Sequence, residues 1–139
     1  MGDRYLGFDP GRDKCGLALV QADGTVLEHR IVPSAEAVAE LARVWRSQPI
    51  QALVIGDQTT SRQWQQRLRA EADLPPLVPV SERNSTLEAR QRYWQLFPPR
   101  GWRRLLPRGL RQPPRPVDDI VAILLVERYL ARLRSGPES

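Results

Sequence analysis

Five acidic residues stand where short apolar runs give way to turns or helices: Asp9, Asp57, Glu82 and the pair Asp118-Asp119. Asp9 is the sharpest case. Leu6-Gly7-Phe8 leads into it, Pro10-Gly11 turns the chain, and Gly16-Leu17-Ala18-Leu19 is apolar again. That pattern places a carboxylate at the rim of a sheet, open to a metal ion or a phosphate. Cleaving a phosphodiester needs a nucleophile, neutralisation of the phosphoryl oxygens and help for the leaving group, and two dications roughly 4 Å apart supply all three. Mg2+ takes oxygen ligands and keeps its waters, so few carboxylates suffice. Like charges crowd together only at a cost, which a bound cation removes. The plain alternatives are an acidic turn residue for Asp9, a turn-starting residue for Asp57 and a solvated partner of Arg83 for Glu82. For Asp118 the alternative is a helix cap. Asp119 is a substitute for Asp118.

The basic residues point to a polyanionic partner. The 139-residue chain carries a formal net charge of +5, and Lys14 is its one lysine among 21 basic residues. Arg100, Arg103, Arg104, Arg108, Arg111 and Arg115 fall in one stretch without an acid. Guanidinium forks match phosphate oxygens in pairs. Trp102 lies inside the run, where its ring can stack on a base. We therefore expect residues 97–116 to clamp nucleic acid, with Lys14 and Arg83 as further phosphate contacts. A solvated Pro-rich loop is the alternative. Trp45, Trp64 and Trp94 read as packing residues. His29, flanked by Glu28 and Arg30, reads as a surface residue, and Cys15 as a small core residue.

The elements that must hold these groups follow from the pattern. Strands are expected at 4–8, 16–21 and 26–32, the last two joined by a turn at Ala22-Asp23-Gly24-Thr25. Val38, Leu41, Ala42 and Trp45 recur at helical spacing after Pro33-Ser34. Residues 52–56 form a continuous apolar run, as in a buried parallel strand. A polar helix at about 61–72 and a strand at 77–80 come next. Ser85-Thr86-Leu87-Glu88 has the spacing of a capping box, with Ser85 as the cap of a helix reaching about Leu96. Residues 97–116 hold too much Pro for an element interior, and 117–134 form a helix apolar on one face, with a frayed tail at 135–139. The order βββαβαβαα predicts an antiparallel meander extended by parallel βα units, with helices on both faces.

At 41% hydrophobic and 27% charged, the composition is that of a globular protein, and the length fits a single domain over 1–139. The apolar stretch near the first residues is too short for a signal peptide. No run approaches the ~20 residues that span a bilayer. No membrane partner is expected, and cytoplasmic residence is. One cysteine excludes an internal disulfide. The pattern leaves monomer or dimer open.

Three segments resemble the bacterial YqgF/RuvX family of RNase H-like nucleases. Gly7-Phe8-Asp9-Pro10-Gly11, with Gly16 beyond, is similar to its first-strand motif G-x-D-x-G followed by a second Gly. Glu82-Arg83-Asn84-Ser85-Thr86-Leu87-Glu88-Ala89 resembles E-R-x-T-T-x-x-A, with Ser85 where Thr is usual. Val117-Asp118-Asp119-Ile120-Val121-Ala122 resembles the last-helix motif D-x-x-A-A, with Val121 at the first Ala. The usual G-x-P after the fourth strand is absent; the run is Ile55-Gly56-Asp57-Gln58. The linker before the last helix is longer and richer in Pro and Arg than the family's.

The resemblance implies an α/β, RNase H-like fold: a five-stranded mixed sheet in the order 3-2-1-4-5, with helices on both faces. It implies Mg2+ or Mn2+ as cofactor, with Asp9, Glu82 and Asp118 as catalytic metal ligands in one coordination shell. With strand four beside strand one, Asp57 would face Asp9. The implied activity is endonucleolytic, on structured RNA in 5′-end maturation of precursor 16S rRNA, or on branched DNA as a Holliday junction resolvase. A non-catalytic RNA-binding protein with a degenerate metal site is a competing reading. A nucleotide-binding kinase-like fold is another, but it needs two such domains.

Overall fold

Alternating apolar residues build both faces of one sheet. A computed structural model describes residues 3–71, 74–98, 101–107, 113 and 115–135, with only the backbone of Arg103. The strands are β1 (Arg4–Asp9), β2 (Lys14–Gln21), β3 (Val26–Pro33), β4 (Ala52–Ile55) and β5 (Leu77–Pro79). They form one five-stranded sheet in the order β3-β2-β1-β4-β5, as expected. β1 is the pivot. It runs antiparallel to β2, with Asp9 opposite Gly16, and parallel to β4, with Phe8 opposite Ile55. The turn between β2 and β3 is the expected one: Gly24 takes a positive φ of 94°, and Asp23 accepts the Thr25 N–H at 2.9 Å.

Side-chain parity decides what each helix covers. Leu6, Phe8, Leu17, Leu19, Leu53 and Ile55 face α1 (Ala37–Ser47) and α2 (Thr59–Arg69). Trp64 closes this side, edge-on to Phe8 at 5.4 Å. Tyr5, Ala18, Val20, Ala52 and Val54 face α3 (Ser85–Leu96) and α4 (Asp118–Arg134). Asp9 and Gly7 share the parity of Tyr5, so Asp9 opens toward α4.

α4 departs from the one-faced helix read from sequence. Every residue from Asp119 to Val126 is buried. The cause is a floor of glycines. A Cβ at Gly7 would overlap the Ala122 carbonyl, and one at Gly16 would overlap the Asp118 carbonyl. The helix backbone rests on the strands there, and α3 covers its far side. Arg92 forks onto Glu127 with two bonds of 3.0 Å, and Arg128 meets Glu88 at 3.0 Å.

Two further expectations change. Ser85 is no cap: it is the buried first residue of α3, and Asn84 precedes it in the left-handed region at φ 60°. The Ser85 N–H turns back to the Glu82 carbonyl at 3.0 Å, and Glu88 pairs with Arg128 instead of closing a capping box. Within 97–116, Gly101–Leu105 forms a short 3-10 turn. Among the described residues, no helix is long and apolar enough to cross a membrane.

Candidate active site

The end of β1 gathers the acids. Asp9 is the last residue of its strand. Because Gly16 lies opposite it and carries the Asp118 backbone, α4 delivers Asp118 directly to Asp9. Burial first, then the charges of Asp118 and Glu82, push the Asp9 carboxyl up from 3.8 to about 8. Near neutral pH Asp9 therefore holds a proton and donates it to Asp118. Burial and the Asp119 charge also raise Asp118, while the bond from Asp9 and the Lys14 ammonium oppose that rise. Lys14 thus lies within electrostatic reach of the pair, on an exposed position at the start of β2.

Glu82 comes from the loop between β5 and α3. Gly56 continues β4 beside Asp9, and a Cβ there would strike the Glu82 carboxylate. The side chain lies across this gap. Its Oε1 accepts the Gln58 N–H at 2.7 Å and the hydroxyl of buried Ser61 at 3.1 Å. Gln65, also buried, fixes the Gly56 carbonyl at 2.8 Å. Arg128 donates to the Ser81 carbonyl at 2.7 Å and ties the same loop to α4. Ser61, Gln65 and Arg128 were missed in the sequence. Only the polarity of the 61–72 segment hinted that it faces something other than apolar core.

Asp57, expected to face Asp9, is bonded to the loop that bears Glu82. Its Oδ1 accepts the Glu82 backbone N–H at 3.3 Å, so it orders that loop. Asp119, weighed as a substitute for Asp118, is engaged by His29 and Arg115. Neighbouring helix residues point about 100° apart, and Asp119 is buried away from Asp9 in a set of its own. Arg115 forks onto it at 3.0 and 3.3 Å, and His29 Nδ1 lies 2.6 Å from its Oδ2. Burial opposes its charge, but the bonds from Arg115 and then His29 pull its carboxyl below the usual range. The ionised carboxylate only accepts, so His29 Nδ1 carries the hydrogen. His29 is therefore not the plain surface residue read from sequence. It lies on β3 opposite Ala18, on the face that α4 covers.

The donors at the site are oxygens, the set that suits Mg2+ or Mn2+. Among the described residues, however, no three His, Cys, Asp or Glu side chains are grouped so as to hold a metal ion. Asp9, Asp118 and Glu82 share one edge of the sheet without closing one coordination shell. Asp118 is hydrogen-bonded to Asp9, while Glu82 is held by Gln58 and Ser61 at the N-terminus of α2.

The expected nucleic-acid contacts are only partly placed. Arg83 is exposed beside Glu82. Trp102 is 63% exposed in the 3-10 turn, with Arg104 exposed two residues on. Arg100, Arg108 and Arg111 lie outside the described residues, as does the side chain of Arg103. Arg115, counted in the same run, is engaged by Asp119.

No protein-family model matches the chain, and no curated protein sequence does. Solved structures do. The chain is similar to Thermus thermophilus RuvC in complex with a Holliday junction substrate, at 19% identity and a TM-score of 0.60, over 96% of both chains. It is similar to a second Thermus thermophilus RuvC structure at 16% identity and a TM-score of 0.60, again over 96% of both. The fold defined by this sheet order and these helices is RNase H-like.

Proposed function

We propose that this chain is a metal-dependent endonuclease that hydrolyses phosphodiesters in branched DNA. One observation carries the reading: Asp118 is seated over Gly16 beside Asp9, with the Glu82 carboxylate over Gly56, in a protein of net charge +5. Three acids brought to one edge of the sheet by three separate elements, with the carboxyls of Asp9 and Asp118 both raised, suit a site for cations. Asp9, Asp118 and Glu82 would hold the ions; when bound, a dication lowers the pKa of water and neutralises phosphoryl oxygens. Asp9 would have to release its shared proton to serve as a ligand. Glu82 would offer its carboxylate from the loop that Gln58, Ser61 and Asp57 hold in place. Lys14 and Arg83 flank the acids and hold adjacent phosphates. Trp102 stacks on a base, and the arginines of 97–116 follow the backbone.

Branched DNA is favoured because the like-folded RuvC is bound to a Holliday junction. A second reading, 5′-end maturation of precursor 16S rRNA, rests on the three sequence motifs alone. The test incubates the protein with a synthetic four-way junction and with precursor 16S rRNA, in Mg2+ or Mn2+, beside Asp9→Asn. Cleavage of the junction that Asp9→Asn abolishes supports the first reading. Cleavage of RNA only moves the conclusion to the second. Tight binding without cleavage of either defines a non-catalytic nucleic-acid-binding protein.

A further inference from the structure

Asp119 is a charged side chain only 3% exposed, one residue from Asp118, and the proposed chemistry does not use it. Three elements meet on it. His29 approaches from β3 and Arg115 from the end of the 97–116 loop, while the carboxylate stays on α4 and also accepts the Ile120 N–H at 3.0 Å. Arg115 has a second engagement. Its guanidinium lies 5.4 Å from the Tyr93 ring and 5.7 Å from the Phe97 ring. Phe97 opens the loop and Arg115 stands at its close, so one side chain brings both loop ends together and fastens them to α4.

The first turn of α4 is thus held from two sides. Asp118 is drawn to Asp9, and its backbone rests on Gly16. Asp119, turned roughly 100° around the helix, is drawn to His29 and Arg115. Rotating or fraying that turn moves both carboxylates together. We infer that Arg115 and Asp119 are positioning residues that hold the first turn of α4 and so set the aim of Asp118. The inference rests on the proposed nuclease reading for what Asp118 does, but not for the linkage itself. Buried ion pairs are weak evidence for stability, and a registering role is what this geometry offers.

The test uses the full chain as wild type, Arg115→Lys and Asp119→Asn. Both substitutions are mild: lysine keeps the charge but loses the fork and the ring contact, and asparagine keeps an acceptor for His29. Three quantities are read. Hydrogen exchange at the Ile120 and Val121 amides needs no metal. Affinity for Mn2+ alone is measured by calorimetry. Junction cleavage is resolved into kcat and KM. We expect exchange at those two amides to rise about tenfold, with β1 and β2 unchanged. Mn2+ affinity should fall about five- to tenfold, and kcat should fall more than KM rises. Wild-type exchange at Ile120 and Val121 in both variants overturns the inference, whatever the enzyme cuts. Uniformly faster exchange throughout the protein also overturns it, because the pair is then only a stabilising contact. If exchange and Mn2+ affinity change as expected while wild type cleaves nothing, the linkage stands and the nuclease reading falls.

Discussion

Replacing Asp9 with Asn should stabilise the metal-free protein, and the gain should grow with pH. In the unfolded chain the carboxyl loses its proton near 3.8, and in the folded chain near 8. Between those values the folded state binds the extra proton, so wild-type stability falls as pH rises through the window and levels off above it. Below pH 3.8 the contribution is fully present. Each pH unit is worth about 1.4 kcal/mol, so the ceiling is about 5–6 kcal/mol. Asp9 is mostly buried, but its surroundings can relax, which brings the observable figure to about 2–3 kcal/mol. Asn carries no charge and avoids this loss. Urea unfolding in chelator at pH 5 and pH 9 measures it. The two proteins should differ little at pH 5, and Asp9→Asn should lead by about 2–3 kcal/mol at pH 9. Mn2+ should then close the gap: at a hundredfold excess over its Kd, the ion adds about 2.7 kcal/mol to the wild type and far less to the variant. Parallel stability curves across pH would refute the crowding of acids on which the site is built.

Gly16→Ala should cost roughly 1–3 kcal/mol by overpacking against the Asp118 carbonyl and should weaken Mn2+ binding, read by melting and calorimetry on one sample. Ser61→Ala removes one of the two bonds on Glu82 Oε1, the one from a buried hydroxyl, for a loss of about 1 kcal/mol. The same change should alter metal affinity, whereas an exposed Ser on α2 would do neither. Asp119→Ala should cost about 2–3 kcal/mol in thermal unfolding because it strands Arg115 and His29, and a near-neutral result would mean that both find water instead. Replacing Arg103, Arg104 and Arg108 together should lower the salt slope of junction binding by up to about 2–3, a little under one per phosphate contact. Melting should hardly move; lost stability with retained affinity would return the loop to a structural role.

The strand pattern was legible because each strand obeys a local rule. Leu6 and Phe8 alternate with Tyr5 and Gly7, and residues 52–55 are buried on both faces. The position of Asp9 was legible for the same reason, since it ends an apolar run before a Pro-Gly turn. What could not be read were relations between distant residues. The capping-box spacing at Ser85 fits a helix start, yet the tertiary demand to bury Ser85 and turn the chain at Asn84 moved the cap by one residue. His29 and Asp119 are 90 residues apart, and neither local sequence reveals the other. Asp57 stands beside the strand-one acid in topology but bonds instead to the Glu82 amide, because a short acidic side chain after a strand finds the nearest unpaired N–H. The role of Gly16 showed only as a motif letter until the Asp118 carbonyl was found against it.

The seating of α4 on Gly7 and Gly16 has a consequence for how the protein comes into being. Everything that α4 covers is synthesised before it: the underside of β1 and β2, with Ala18 and Val20, emerges first and waits bare for a partner encoded after residue 117. Contacts between segments so far apart in the chain close slowly and late. Until they close, Asp9 has no Asp118 beside it, and the acids cannot work as a set. On the proposed nuclease reading, a nascent chain at this stage would not cleave the nucleic acid that surrounds a ribosome, and it exposes apolar surface that a holding chaperone can cover. Asp9 and Asp118 meet only when the helix docks.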